Sequence, residues 1–197
     1  MIQDYFHKID SEQKAYWLGF ILGDGCLGDW GGRFTIQLSL NIRDENHIDK
    51  FAKAIHWHNR KTYRKETDSV RMPLCSKQMY HDLLRLGVTP NKSLTARWPK
   101  IPKKYEIHML RGLFDADGCI TTYGYNKYPR FALVGTKNCL QNAKRILGIT
   151  NRICPDVTIW QISKGGRNVV GEIYYKLYKN ATVYLTRKKK RFEELLR

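Results

Sequence analysis

Asp24 and Asp117 stand 93 residues apart (117 minus 24) in the same local setting. The first closes the stretch Trp17-Leu-Gly-Phe-Ile-Leu-Gly-Asp-Gly25, the second the stretch Leu110-Arg-Gly-Leu-Phe-Asp-Ala-Asp-Gly118. Each stretch reads as the end of an apolar helix, so each carboxylate meets the negative end of a helix dipole. That costs a few tenths of a kcal/mol to about 1 kcal/mol. Gly25 and Gly118 follow where a left-handed C-terminal turn favours glycine. Gly19 and Gly23 lie four apart, as do Gly112 and Ala116, so each helix carries a row of small residues along one side. Two such rows let two backbones approach, which brings both carboxylates to one end of the pair. Like charges that close need a proton or a cation between them. The residue types point to a hard divalent cation held by carboxylates, carbonyls and water, with Asp24, Asp117 and the backbones of Gly23 and Ala116 as the metal-site residues.

The elements that would position this pair are readable in outline. Ser11 is the expected cap of the first helix, although Lys14 stands where a capping box would place an acid. After a glycine-rich turn (Gly25, Gly28, Gly31, Gly32), the segment Arg33–Arg43 alternates strictly. Phe34, Ile36, Leu38, Leu40 and Ile42 share one face of the expected strand; Arg33, Thr35, Gln37, Ser39, Asn41 and Arg43 share the other. That polar face has no acid and carries Gln, Asn and two Arg, the side chains that read purine edges in the major groove. Helices are expected near 45–56 and 77–86, with short strands near 61–65 and 70–75. Pro90, Pro99 and Pro102 mark a connection. Beyond it come a helix over 105–117, a strand near 129–136, a helix near 138–147, a strand near 157–163, a helix near 169–178 and a basic helix from about Arg187.

The two motifs resemble the paired signatures of single-chain, two-motif LAGLIDADG homing endonucleases. The second copy departs from the nine-letter signature only at Arg111 and Phe114. The resemblance implies an α+β fold: two αββαββα units, residues 1–98 and 99–197, related by a pseudo-twofold axis, with the motif helices at the axis and two antiparallel sheets forming a DNA-binding saddle. It further implies hydrolysis of one phosphodiester in each strand of a long, pseudo-palindromic duplex site, leaving short 3′ overhangs, with Mg²⁺ as cofactor and Mn²⁺ able to substitute. A basic residue flanks the metals in each half of such enzymes. Local pattern carries that role to Lys92, in Pro90-Asn-Lys-Ser93, and to Lys188, in Tyr184-Leu-Thr-Arg-Lys-Lys189. For the polar residue that orients water at each strand end, the candidates are Asn41 or Arg43 and Thr136 or Lys137. Arg130, Thr136 and Lys137 join the expected DNA-binding set in the second half.

Composition agrees with a polyanionic partner. The 197 residues carry a net charge of +17, which favours nucleic acid. The charge is uneven: residues 1–98 hold 15 Lys and Arg against 11 Asp and Glu, a net +4, whereas 99–197 hold 20 against 7, a net +13. There is neither a secretory signal nor a run of membrane-spanning length, and the five cysteines lack metal-type spacing. A soluble intracellular monomer with reduced thiols is expected. Cys26 and Cys119 are expected as small buried residues, and Asp115 as a local hydrogen-bonding group. The pattern Gly23-Asp-Gly-Cys-Leu-Gly28 follows a helix instead of a strand, which argues against a dinucleotide site. Two other functions share the scaffold: a maturase that binds its host intron RNA, and a DNA-binding regulator without catalysis. Loss of either Asp would favour the regulator, and both are present.

Overall fold

The computed structural model describes all residues, Met1–Arg197. Ser11 opens α1 (Glu12–Asp24) by accepting a hydrogen bond from the Lys14 amide at 3.3 Å. Residues 15–22 of α1 are all buried, as are residues 109–115 of its counterpart α4 (Lys103–Asp117). The two helices meet backbone to backbone. A Cβ placed on Gly19 would fall 1.9 Å from the Met109 carbonyl oxygen, one on Gly112 2.0 Å from that of Tyr16, and one on Gly23 2.3 Å from Ala116 Cβ. At the first two crossings even alanine is too large.

Each motif helix runs directly into a strand. β1 (Gly25–Trp30) pairs antiparallel with β2 (Arg33–Asn41), and β5 (Gly118–Tyr123) with β6 (Tyr128–Gly135). β1 and β5 fall where the sequence suggests turns. Their glycines are extended, with φ −80° at Gly25 and −85° at Gly118, so no left-handed turn forms. Glycine is needed there for space: a Cβ on either would stand within 2.6 Å of the carbonyl oxygen four residues back, Ile21 or Phe114.

The first sheet is completed by β3 (Thr62–Arg64) and β4 (Ser69–Cys75) in the order β1-β2-β4-β3. The second is completed by β7 (Cys154–Asp156) and β8 (Ile159–Gly165) in the order β5-β6-β8-β7. β7 is a further strand that sequence periodicity does not reveal. Helices α2 (Glu45–Ala54) and α3 (Lys77–Arg85) cover the inner face of the first sheet; α5 (Lys137–Leu147) and α6 (Arg167–Tyr178) cover that of the second. α7 (Thr186–Leu196) ends the chain against β5. Ile36, Leu38, Leu40, Val70, Met72 and Leu74 form one buried sheet face, and Phe131, Leu133 and Ile162 form the other. The fold is thus α+β with the helix and strand order αββαββα used twice, plus α7.

Two further details concern the strands. β2 stops at Asn41, whose side chain accepts the Arg43 amide at 3.1 Å and caps a short 3-10 turn over Ile42–Asp44. A local side-chain bond thus displaces the strand ladder, leaving Ile42 48% exposed and Arg43 off the strand. The offset between the halves also changes along the chain. Gly25 faces Leu38 and Gly118 faces Leu133, so the helices repeat at 93 residues but the second strands at 95. The first hairpin closes on two glycines with φ of 62° and 88°, the second on four residues, 124–127. The difference is even, so the inward and outward faces keep their phase.

Candidate active site and nucleic-acid interface

The packing of α1 on α4 sets Asp24 and Asp117 at one end of the pair. Asp117 lies against the other helix: a Cβ on Gly23 would stand 3.0 Å from Asp117 Oδ2. Burial, reinforced by the charge of Asp117, raises the Asp24 carboxyl from 3.8 to about 6, against the opposing pull of Lys188 and Lys92. Burial also raises Asp117, with both lysines acting the other way.

Lys92 and Lys188 are themselves buried, at 9% and 7% exposure. Lys92 Nζ donates to Gly23 O at 2.8 Å and to Gly25 O. Lys188 Nζ donates to Phe114 O at 2.8 Å and to Ala116 O at 3.0 Å. Each ammonium therefore sits at the carbonyl end of one motif helix, where a cation is favoured and the neighbouring carboxylate is not. Desolvation lowers Lys188 from 10.5 to about 8 and lowers Lys92 as well. A cavity of about 100 Å³ opens beside Asp117 and Lys92, lined also by Gly23, Thr136 and Cys139.

The donor set fits a hard divalent cation. Two carboxylates adjoin, the lysines leave a second lone pair on the Gly23 and Ala116 carbonyls, and burial together with the Asp117 charge already favours a proton at Asp24. No group of three or more His, Cys, Asp or Glu side chains gathers anywhere in the chain, so a soft or all-protein metal cage is not what these residues build.

Strand pairing defines the outward face of the first sheet. Directly opposed residues share a face, so Arg33, Thr35, Gln37, Ser39 and Asn41 are joined by Cys26, Gly28 and Trp30 of β1, by Ser69, Arg71, Pro73 and Cys75 of β4, and by Thr62 and Arg64 of β3. No acid lies among them. The Nε of Arg71 has no hydrogen-bond partner, and Trp30 is 75% exposed at the hairpin tip. In the second sheet, Arg130 faces outward with Thr121, Gln161 and Ser163, and its guanidinium donates to Ser163 Oγ at 2.9 Å. Arg71, Arg64, Gln161 and Ser163 are missed by reading a single long strand. The alternation Ser69-Val-Arg-Met-Pro-Leu-Cys75 could have exposed Arg71.

Several expected residues have other employment. Asn41 caps the turn described above. Thr136 caps α5, accepting the Cys139 amide at 3.3 Å and donating to Ala96 O at 2.7 Å. Lys137 lies over the Trp160 ring, 5.1 Å from its centroid. Arg187, at the start of the basic helix, makes a two-pronged bond with Asp44 at 2.9–3.2 Å and is not free for a phosphate. Cys26 and Cys119 are exposed instead of buried, because their positions alternate onto the outward sheet faces. Asp115 is buried and turned away from Asp117, accepting from Tyr16, Tyr178 and the Leu185 amide.

No helix is long and apolar enough to cross a membrane. No family model matches the sequence, and no curated protein matches it. Solved structures do match. The LAGLIDADG meganuclease I-AabMI bound to uncleaved DNA aligns at a TM-score of 0.64 and 13% identity, covering 92% of this chain and 89% of that one. I-LtrWI, a LAGLIDADG homing endonuclease bound to target DNA, aligns at 0.67 and 11% identity, covering 98% and 88%. I-SmaMI bound to cleaved DNA aligns at 0.63 and 9% identity, covering 94% and 88%. At these identities the likeness is one of architecture: this chain has the LAGLIDADG homing endonuclease fold, with both motif helices in a single polypeptide.

Proposed function

We propose that the chain is a site-specific, metal-dependent endonuclease that cuts both strands of a long duplex site. The observation that carries this reading is the pairing of Asp24 and Asp117 at the adjoining ends of α1 and α4, with a buried lysine beside each. A regulator that only binds DNA has no use for two carboxylates raised by burial and flanked by buried cations. The DNA-bound states of the similar structures support the same partner.

In this mechanism residues 1–98 read one half-site and 99–197 the other, and the protein acts as a monomer. The outward side chains Arg33, Thr35, Gln37, Ser39 and Arg71, with Arg130 and Gln161 opposite, contact bases and phosphates. Asp24 and Asp117, with the Gly23 and Ala116 carbonyls, would hold Mg²⁺, which supplies Lewis-acid stabilisation of the phosphate and an acidified water. Lys92 and Lys188 keep positive charge fixed in a poorly solvated place, where it stabilises the charge that develops on a phosphate far more than in water. The burial that lowers their pKa also prevents them from relaxing away.

The test is incubation with a randomised duplex library and Mg²⁺, with end sequencing and the Asp24→Asn protein alongside. Discrete double-strand breaks with short 3′ overhangs, absent in the variant, support the proposal. Binding without cleavage by the wild-type protein would overturn it and favour a regulator or an RNA-binding maturase.

A further inference from the structure

The two halves hold their lysines in different ways. The segment that leads to Lys188 is clamped by two buried charged residues of α4, one helical turn apart. Arg111 donates to Leu177 O at 3.0 Å and Val183 O at 2.9 Å, and pairs with Glu12 at 2.6 Å; Glu12 in turn accepts the Thr182 amide at 2.8 Å. Asp115 accepts the Leu185 amide at 2.7 Å, Tyr178 Oη at 2.6 Å and Tyr16 Oη at 2.7 Å. Tyr16 has one proton, given to Asp115, so His47 Nε2 donates to Tyr16 at 2.8 Å and His47 Nδ1 is left without a partner. The clamp therefore fixes backbone groups at 177, 182, 183 and 185, just before α7 delivers Lys188.

Shifted by 93 residues, Arg111 and Asp115 fall on Leu18 and Leu22 of α1. Neither can hold a backbone amide or carbonyl. The chain at Lys92 is instead tied down after the lysine: Thr136 donates to Ala96 O at 2.7 Å, and Asn138 accepts the Trp98 amide at 2.8 Å.

The geometry points to Arg111 and Asp115 as positioning residues that act through the Leu177–Leu185 backbone to place Lys188, so that the two strands of the duplex are cut by sites with unequal support. Neither residue touches the substrate. This rests on the endonuclease reading for its catalytic consequence, but the clamp itself can be tested without catalysis.

Two readouts on Asp115→Asn and Tyr178→Phe decide the matter. The first is amide hydrogen exchange, where exchange over residues 182–188 should rise about tenfold while residues 88–96 stay unchanged. Unchanged exchange over 182–188 in both variants would overturn the clamp, whether or not the protein cuts DNA. The second is strand-resolved cleavage of the selected site. One strand, the same that Lys188→Met impairs, should slow by roughly tenfold to 10²-fold, because small misplacements cost that much, and nicked duplex should accumulate. Equal slowing of both strands, with lost thermal stability, would show that Asp115 serves only the core. Tyr178→Phe keeps the ring and guards against a variant of Asp115 that fails to fold.

Discussion

The first and second halves of this chain carry the same order of elements yet differ in where they place polarity. The first half presents a broad sheet face without acids, closes its hairpin on two glycines and keeps leucines on the buried side of α1. The second half carries most of the net charge, has a longer hairpin and buries Arg111 and Asp115 in α4. Once a duplicated unit is fused in one chain, only features that meet at the axis must stay alike. Gly19 and Gly112, Asp24 and Asp117, and Lys92 and Lys188 are such features, and these remain paired. Arg111 and Asp115 have no such counterparts, since Leu18 and Leu22 stand at the equivalent positions of α1.

If the axis is where equivalence matters, the strongest effects come from the aspartates and should be alike in both halves. Asp24→Asn and Asp117→Asn should each lower double-strand cleavage by roughly 10³-fold or more, about 4 kcal/mol in the barrier, with duplex affinity within about tenfold of wild type. Cleavage rates and gel-shift titrations on the selected site check this. A large loss from one substitution alone would break the equivalence. The next effect is on folding. Gly19→Leu and Gly112→Leu each drive a side chain into a carbonyl oxygen of the partner helix, and each should destabilise by about 3 kcal/mol or more, read by denaturant unfolding. An undiminished transition in either variant would refute the close approach of the helices.

The axis was also the most legible part of the sequence, because small residues every fourth position and a terminal Asp-Gly state a packing requirement in local terms. Long strands with strict alternation, β2 above all, were legible for the same reason. β1 and β5 were not: Gly25-Cys-Leu-Gly28 looks like a turn, and its extended form is dictated by pairing with a strand seven or more residues away. Ile42 was misplaced because Asn41 diverts the backbone through its side chain. The clamp of Asp115 was visible only as a local hydrogen-bonding group, since its partners lie 63–99 residues away in sequence.

A smaller effect separates stability from catalysis. The Asp24 carboxyl is raised to about 6 in the folded protein, so between pH 4 and 6 the folded state binds more protons than the unfolded one. Stability therefore falls as pH rises through that window and stays lower above it. Without divalent ions, Asp24→Asn should be more stable than wild type at pH 7, by ~1–3 kcal/mol, and the gain should fade toward pH 4. Adding Mg²⁺ should shrink the gain at pH 7, since the cation binds only the ionised pair. Thermal melts across pH, with and without chelator, make the check. Cleavage should fall on the alkaline side as Lys188 loses its proton near pH 8.

The finest distinction concerns how each half meets DNA. Gln37 stands mid-strand on the acid-free face, opposite Cys26 and Pro73. Gln37→Ala should alter preference at one base position of a half-site by about 1–3 kcal/mol and leave other positions unchanged. Lys190, in the basic run of α7, lines an open hollow with Arg43 and Arg191. Lys190→Ala should weaken binding to every sequence alike and reduce the salt dependence of log K by about 1. Competition binding over a site library at two salt concentrations measures both. If Gln37→Ala instead weakened all sequences equally, its amide would be holding a phosphate, and base readout in the first half would fall to other donors on that face, Arg33, Ser39 and Arg71 among them.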